Sequence, residues 1–357
     1  MPAPDSWGGP AACEPPFVDA LKGLGVETAA ETYVYGDKDT ATTIFSRFIR
    51  VIKTALRFRK IVSAERFDLV HLNTAFDKNT VLRDSISIFL MGRKRPKIFL
   101  KIHGSGANFV DPRSIFYRSL IRYLDKRVAG YGIFTHEERE TFLPHGIDAR
   151  KFHFVKNVIQ LETSGRVDNS AKEATDRLNL IFVSRFIKTK GLLETIKAVK
   201  IARDNGANVS LVCVGDGPIR HKAESLVKEL GITEDVLFTG YISEGDVDEQ
   251  LARSDIFVFP TRHNEGFPIA MFKAAISGLG IVTTRVRAAA EYFEDRVNCL
   301  FCSSKPDDIA DKIVELVNDK DLRMRMSESN RKFGAELSPD NIASEYLEIY
   351  KKVISES

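Results

Sequence analysis

The chain alternates between short apolar runs of strand length and longer stretches whose apolar residues recur at helical spacing. The second half is regular: NLIFVS, VSLVCVG, VLFTG, DIFVFP and GIVTT each stand between helix-patterned segments. Such near-continuous apolar runs suit strands buried on both faces. In the first half FDLVHLN and KIFLKIHG read as strands, RVAGYGIFT and FHFVKN follow, and Ile115–Leu124 reads as a helix between them. Strand and helix taking turns predict parallel sheets covered on both faces, an α/β protein. The stretch Leu161–Arg177 is polar and has no apolar period, which makes it the linker. The last segment, PDNIASEYLEIYKKVISES, is an amphipathic helix with Ile342, Tyr346, Ile349, Tyr350 and Val353 on one face.

A length of 357 residues allows two domains with a core each. The expected division is 1–165, 166–340 and a terminal helix at 341–357. The four cysteines show no disulfide framework, which points to a reducing compartment. Cys299 and Cys302 form a C-x-x-C inside an apolar run, NCLFCSS, with no second pair, and read as structural. No signal peptide and no apolar run long enough to span a bilayer is present. Charge is asymmetric: residues 1–165 carry 25 Lys and Arg against 18 Asp and Glu, or +7, and the remainder 27 against 31, or −4. A basic first half suits an anionic surface or acceptor. Within it, Ile44–Val62 is a basic amphipathic helix. Ile44, Phe45, Phe48, Ile52, Ala55 and Leu56 lie along one side, Arg47, Arg50, Arg57 and Lys60 mostly on another. Its apolar stripe is expected in the core, as in a helix covering a sheet. Its basic outer face, with Arg93-Lys94-Arg95 and Arg118–Arg127, suits an anionic membrane.

The candidate chemistry lies at two strand–turn–helix passages. In the first, NLIFVSRFIKTKGLLETIKAVK, Arg185 and Lys190 close the turn with Gly191. In the second, SDIFVFPTRHNEGFPIAMFKAA, the turn carries Glu265-Gly266-Phe267-Pro268-Ile269, with proline placed for a first helical turn. Two fixed cations and a run of helix-terminal N–H groups suit a diphosphate, and a carboxylate beside them suits sugar hydroxyls. Gly8 and Gly9 precede a helix and could let backbone approach a phosphate. His103 ends a strand, where open α/β sheets bind ligands. A capping or buried histidine is the alternative there, and His71 and His145 carry less information. Asp246-Val-Asp248 has the D-x-D pattern of metal-binding transferases, but it opens a helix, where acidic residues complement the dipole.

Taken together, these passages resemble the retaining glycosyltransferases of family 4, glycosyl transferases group 1. The resemblance covers nearly the whole chain, with its specific motifs in residues 180–300. It implies GT-B architecture: two Rossmann-like domains facing a central cleft, with the C-terminal helix crossing back to the first. It implies a transfer of hexosyl type from a nucleoside-diphosphate sugar to a hydroxyl of a saccharide or lipid-linked acceptor, in cell-surface polysaccharide or glycolipid synthesis. No cofactor, metal or nucleic acid enters. The implied location is cytoplasmic, with the inner face of the cytoplasmic membrane as a docking surface. His103, Arg185, Lys190 and Glu265 take the catalytic positions. Gly8, Gly9, Gly215 (in Val214-Gly215-Asp216-Gly217-Pro218), Gly266, Phe267, Pro268, Ile269 and Lys273 take the donor-binding ones. Asn157 fits the asparagine after the last strand of the first domain.

Four departures stand out. Lys273 occupies the place of the family's second glutamate and is expected to face the donor ribose. The Gly-Gly-x-Pro-Glu stretch reads Ala288-Ala289-Ala290-Glu291, and Gly280 replaces a proline. The chain begins at MPAPDSWGGP, already at the glycine-rich turn, so the strand expected ahead of it is missing. The alternatives are a non-catalytic homologue that binds nucleotide sugar and a sugar-nucleotide epimerase of the same fold.

Overall fold

The structure, a computed structural model, describes residues 9–32, 44–92, 96–103, 110–111, 113–162 and 177–356. Gly8, Arg93-Lys94-Arg95 and most of the polar linker lie outside them. The chain forms two compact units: residues 1–158 with 339–357, and residues 159–338.

The first unit opens with α1 (Gly9–Gly23) and α2 (Ile44–Ala64), followed by β1 (Leu69–Thr74), α3 (Lys78–Met91), β2 (Lys97–Ile102), α4 (Ile115–Asp125), β3 (Gly130–Ile133), α5 (His136–Phe142) and β4 (Phe152–Phe154). The four strands are parallel and lie in sequence order, with His71 opposite Phe99 and Leu100 opposite Tyr131. Helices start where the sequence supplies caps: Asp77 and Thr80 form a capping box on α3, and Ser114 and Thr135 cap α4 and α5. Ile98, Leu100, Ile102, Tyr131 and Phe142 fill the core.

The apolar stripe of α2 is not the core face that its pattern predicts. Ala55 and Phe58 are buried, but Phe45 is 72% exposed, and Phe48 and Leu56 are exposed as well. Phe89 on α3 and Ile115 and Phe116 on α4 are also exposed. The helices pack α2 on α3 and α3 on α4. Packing on a helix already covering the sheet leaves α2 little core to reach.

In the second unit come β5 (Leu178–Val183), α6 (Leu192–Asp204), β6 (Val209–Val214), α7 (Arg220–Glu229), β7 (Val236–Gly240), α8 (Glu244–Ala252), β8 (Ile256–Phe259), α9 (Ile269–Ile276), β9 (Gly280–Thr284), α10 (Arg287–Tyr292), β10 (Leu300–Cys302), α11 (Pro306–Asn318) and α12 (Lys320–Ala335). All six strands are parallel, in the order β10-β9-β8-β5-β6-β7. The chain builds one side of the sheet outward from β5 and then returns to build the other from β8. The order therefore reverses between β5 and β8. Outside the carboxyl ends of the strands at such a reversal, open α/β sheets form their ligand crevice.

The last helix, α13 (Pro339–Ser355), packs in the first unit, on α1 and β2. Ile342, Tyr346, Tyr350 and Val353 are buried there, and Ile349 half-buried. Cys299 and Cys302 are buried free thiols whose Sγ atoms meet the carbonyls of Glu294 and Thr283. Among the described residues no helix is long and apolar enough to cross a membrane.

Candidate active site

The turns after β5 and β8 are stitched together by backbone. The Arg262 N–H donates to Thr189 O at 2.8 Å, and the Arg262 guanidinium reaches Lys188 O and, at 2.9 Å, the Glu194 carboxylate. Gly191 makes this contact possible. Its φ is +88°, and a Cβ there would stand 2.5 Å from Pro260 O. A side chain at 191 would push the two turns apart.

This stitching brings the cations of one motif to the carboxylate of the other. Lys190 forms an ion pair with Glu265, and Thr261 Oγ1 donates to the same Glu265 oxygen at 3.2 Å. Lys190 Nζ also lies 5.7 Å from the centre of the Phe259 ring. Arg185 is exposed on the turn after β5. Two further groups, not legible in the motifs, share the neighbourhood. His263 has its imidazole held below its usual range, first by partial burial and then by Lys190, with Arg185 and Arg287 adding and Glu265 opposing. Arg287, at the start of α10, is buried with a φ of 33°, a conformation that non-glycine residues adopt mainly where the surroundings force it. The Ala288 N–H donates to Glu265 O at 3.3 Å, which ties α10 to the same turn. Lys190 thus pairs with the Glu265 carboxylate at the sheet's reversal point, and Arg185 and Arg287 add their charge beside His263. A sequence signal for Arg287 existed only as the position just before the altered Ala288-Ala289-Ala290-Glu291 stretch.

The remaining donor-binding candidates divide. Gly266 is buried beside Glu265, and Pro268 caps α9, whose first residue is Ile269. The opening N–H groups of a helix have no partner within it. Phe267 turns inward and stacks on Phe272 at 3.8 Å and 6°, so its ring supports the turn from below. Gly215 has a φ of +128°, with Ser184 O only 2.0 Å from where a Cβ would stand, and its N–H donates to Gly240 O. It holds the β6 turn against the β5 turn.

Lys273 corrects an expectation. Its ammonium is buried between two carboxylates of α8, 2.8 Å from Glu244 and 2.8 Å from Asp248, rather than offered to a ribose. Asp248 in turn accepts from the Glu162 N–H at 2.7 Å. The D-x-D triplet is therefore split: Asp246 completes a capping box with Ser243, while Asp248 is a buried partner of Lys273. A carboxylate at 273 would face two others, which explains why this chain has a lysine there.

In the first unit Gly9 opens α1, and His103 follows β2. His103 lies in a buried polar cluster. Its Nε2 is 2.8 Å from Asn73 Oδ1 and 3.1 Å from Glu14 Oε1. Glu14 accepts from Lys101 Nζ at 2.7 Å and from Asn73 Nδ2 at 3.0 Å. His71, which carried little information in the sequence, contacts Asn73 Oδ1 through Nε2 at 3.3 Å and the Tyr350 hydroxyl through Nδ1. Burial alone would raise the Glu14 carboxyl, but Lys101 and His103 hold it well below the usual carboxylate range. Burial, helped by Lys101, lowers both imidazoles, His71 to about 3. The signal missed in the sequence was a lysine inside the apolar run KIFLKI and an asparagine closing VHLN. Cys13, Glu14 and His103 place three potential metal ligands within 4.8 Å of one another. The ammonium of Lys101 already balances the carboxylate, and burial pushes the Cys13 thiol up, so this donor set does not suit a cation.

Residues 166–333 match the family described as glycosyl transferases group 1. N-acetyl-alpha-D-glucosaminyl L-malate synthase of Bacillus anthracis is 27% identical over 320 residues, 84% of this chain and 78% of that protein. An uncharacterized 41.2 kDa protein of the cps region of Klebsiella pneumoniae is 20% identical over 322 residues, 87% of this chain and 84% of its own. Among solved structures, Anabaena HepE in complex with UDP and glucose aligns with a TM-score of 0.72 at 15% identity, over 97% of this chain and 98% of that one. A glycosyltransferase from Rickettsia africae aligns with a TM-score of 0.74 at 15% identity, over 100% and 98%. Two parallel sheets with interleaved helices give the chain the GT-B fold, and its second unit, over residues 166–333, matches the glycosyl transferases group 1.

Proposed function

We propose that the protein transfers a hexosyl group from a nucleoside-diphosphate sugar to a hydroxyl acceptor, with retention at the sugar carbon and without a metal ion. One observation carries the reading: Lys190 pairs with Glu265 across the joined turns after β5 and β8, where the strand order reverses, and Arg185 stands exposed on the same β5 turn. The diphosphate gains negative charge as it leaves, and cations fixed in place lower that barrier without reorganising. Arg185 and Lys190 serve this role, and buried Arg287 adds to the field. The N-terminus of α9 offers amide donors to the same anion. Glu265, oriented by Lys190 and Thr261, accepts from hydroxyls of the sugar. The family resemblance assigns His103 to the sugar near its reacting carbon. Lys273 has a structural partner set, so its presence does not argue for a decayed site.

The acceptor in this reading is a saccharide or lipid-linked hydroxyl presented at an anionic membrane on its cytoplasmic side. Exposed Phe45, Phe48, Phe89, Ile115 and Phe116, among the cations of α2 and α4, support it. The test is incubation of the protein with labelled UDP-, GDP- and ADP-sugars and a lipid extract. Labelled product in the lipid or saccharide fraction is the expected result. Isomerised donor would make the protein an epimerase, and binding without turnover a non-catalytic homologue.

A further inference from the structure

Among the described residues, the contacts of the first unit's buried cluster order its protons. Lys101 has donors only, so Glu14, 2.7 Å away, accepts. Its second oxygen, 3.0 Å from Asn73, then requires the amide nitrogen on that side. The Asn73 oxygen must face the other way, toward both histidines. An amide oxygen only accepts, so Nε2 of His103 at 2.8 Å and Nε2 of His71 at 3.3 Å must each carry a hydrogen. Turning the amide over would set its oxygen against the Glu14 carboxylate and its NH2 against two ring nitrogens. His71 Nδ1 consequently accepts from the Tyr350 hydroxyl.

We infer that Glu14 and Asn73 are positioning residues that lock His103 as the neutral Nε2–H imidazole, so that Nδ1 is an acceptor and the ring carries no charge. This deepens the transferase reading above and rests on it for its consequence. A neutral acceptor orients a sugar hydroxyl, whereas an imidazolium would repel the positive charge that develops on the departing sugar's reacting carbon. Among the described residues, the ring is faced by Glu14 and Cys13 from α1, Asn73 and His71 from β1, Lys101 from β2, and Phe134 after β3. Tyr346 and Tyr350 of α13 close the cluster around Lys101 and His71. Burial and Lys101 act in the same direction on His103, against protonation, and Glu14 opposes them. Asn73, neutral and pointing its oxygen inward, selects the tautomer without adding the charge that would protonate the ring.

The experiment is 15N NMR of imidazole-labelled protein from pH 8 to 5, alongside kinetics with a nucleotide sugar. The wild type should show His103 with a protonated Nε2 and a bare Nδ1 over the whole range. Asn73→Asp keeps the shape and adds a charge. Its His103 should become doubly protonated near neutral pH, with kcat ten- to a hundred-fold lower and falling further in acid while KM changes little. A second variant, Glu14→Gln with Lys101→Met, removes both charges together, and should fold and show a mixture of His103 tautomers. An Nδ1–H ring in the wild type, or titration near pH 6.5, overturns the inference. So does an Asn73→Asp enzyme with the wild-type pH profile. The Nε2–H pattern in a protein that transfers no sugar supports the lock and overturns the transferase reading alone.

Discussion

At the scale of residues, the site's cations differ in kind. Arg185 is exposed, while Lys190 is held by Glu265. Alanine at either position should lower kcat by roughly ten- to a thousand-fold if both stabilise transition-state charge. Lys190→Ala should also weaken donor binding, because it releases the Glu265 carboxylate from its set position. Steady-state kinetics of both variants, folded by circular dichroism, checks this; unchanged turnover would remove them from the mechanism. Lys273 calls for the opposite experiment. Lys273→Glu would set a buried carboxylate against that of Asp248, with part-exposed Glu244 beside it, and losing the partner of a buried ion pair costs about 3–5 kcal/mol. Urea denaturation should show a loss of that order, and Lys273→Met should also destabilise by leaving Asp248 without its cation. A glutamate variant as stable as wild type would refute the account. The two strand–turn–helix passages were legible in the sequence, and the pairing of Lys190 with Glu265 follows from both turns lying at one end of the sheet. The partners of Lys273 were not, because a helix pattern does not say which neighbouring helix supplies the facing carboxylates.

Elements were read more readily than contacts. Each strand of the second unit falls on one of the apolar runs, since a strand buried on both faces has few other compositions available. The terminal helix was visible as a helix, but its seat on α1 and β2 is a long-range contact that periodicity does not encode. The Glu14 cluster was hidden for the same reason: it draws one or two residues each from α1, β1, β2 and α13. This junction predicts acid sensitivity. His71 is held at about 3 against an ordinary 6.5, so between those values the unfolded chain binds a proton that the native one refuses. Stability contributed here is complete above pH 6.5 and falls as pH drops toward 3, by up to about 1.4 kcal/mol per pH unit for each such group. Glu14 acts with the same sign, since its depressed carboxyl loses its advantage as acid protonates it. Melting temperatures at pH 7.5, 6 and 5 should decline, and His71→Gln should flatten the slope. A profile level from 7.5 to 5 would contradict the assignment of a neutral buried pair.

For the molecule as a whole, the first 165 residues carry a net +7 and the exposed aromatic and aliphatic residues of α2, α3 and α4 lie on the same basic unit. Vesicles containing phosphatidylglycerol should co-sediment the protein at low salt and release part of it as salt screens the charges. Substituting serine at both Phe45 and Phe48 should weaken the salt-resistant fraction several-fold. Equal partition onto neutral and anionic vesicles would show that charge plays no part. The basic character was legible in composition. The exposure of the apolar residues was not, because the same stripe serves a core or a surface equally well.

The four thiols add a practical consequence. Cys13, Cys213, Cys299 and Cys302 are all buried and free, and burial raises each one, Cys302 to about 12. A folded molecule should therefore be nearly inert to alkylating reagents, and every modification event should report a transient opening. Cys13 belongs to one compact unit and the other three to its companion. The chain thus contains separate clocks for the breathing of its two halves, readable by mass spectrometry without introducing a probe. A bound nucleoside diphosphate should slow the clock at Cys213, which ends in the strand before the Gly215 turn, more than the one at Cys13.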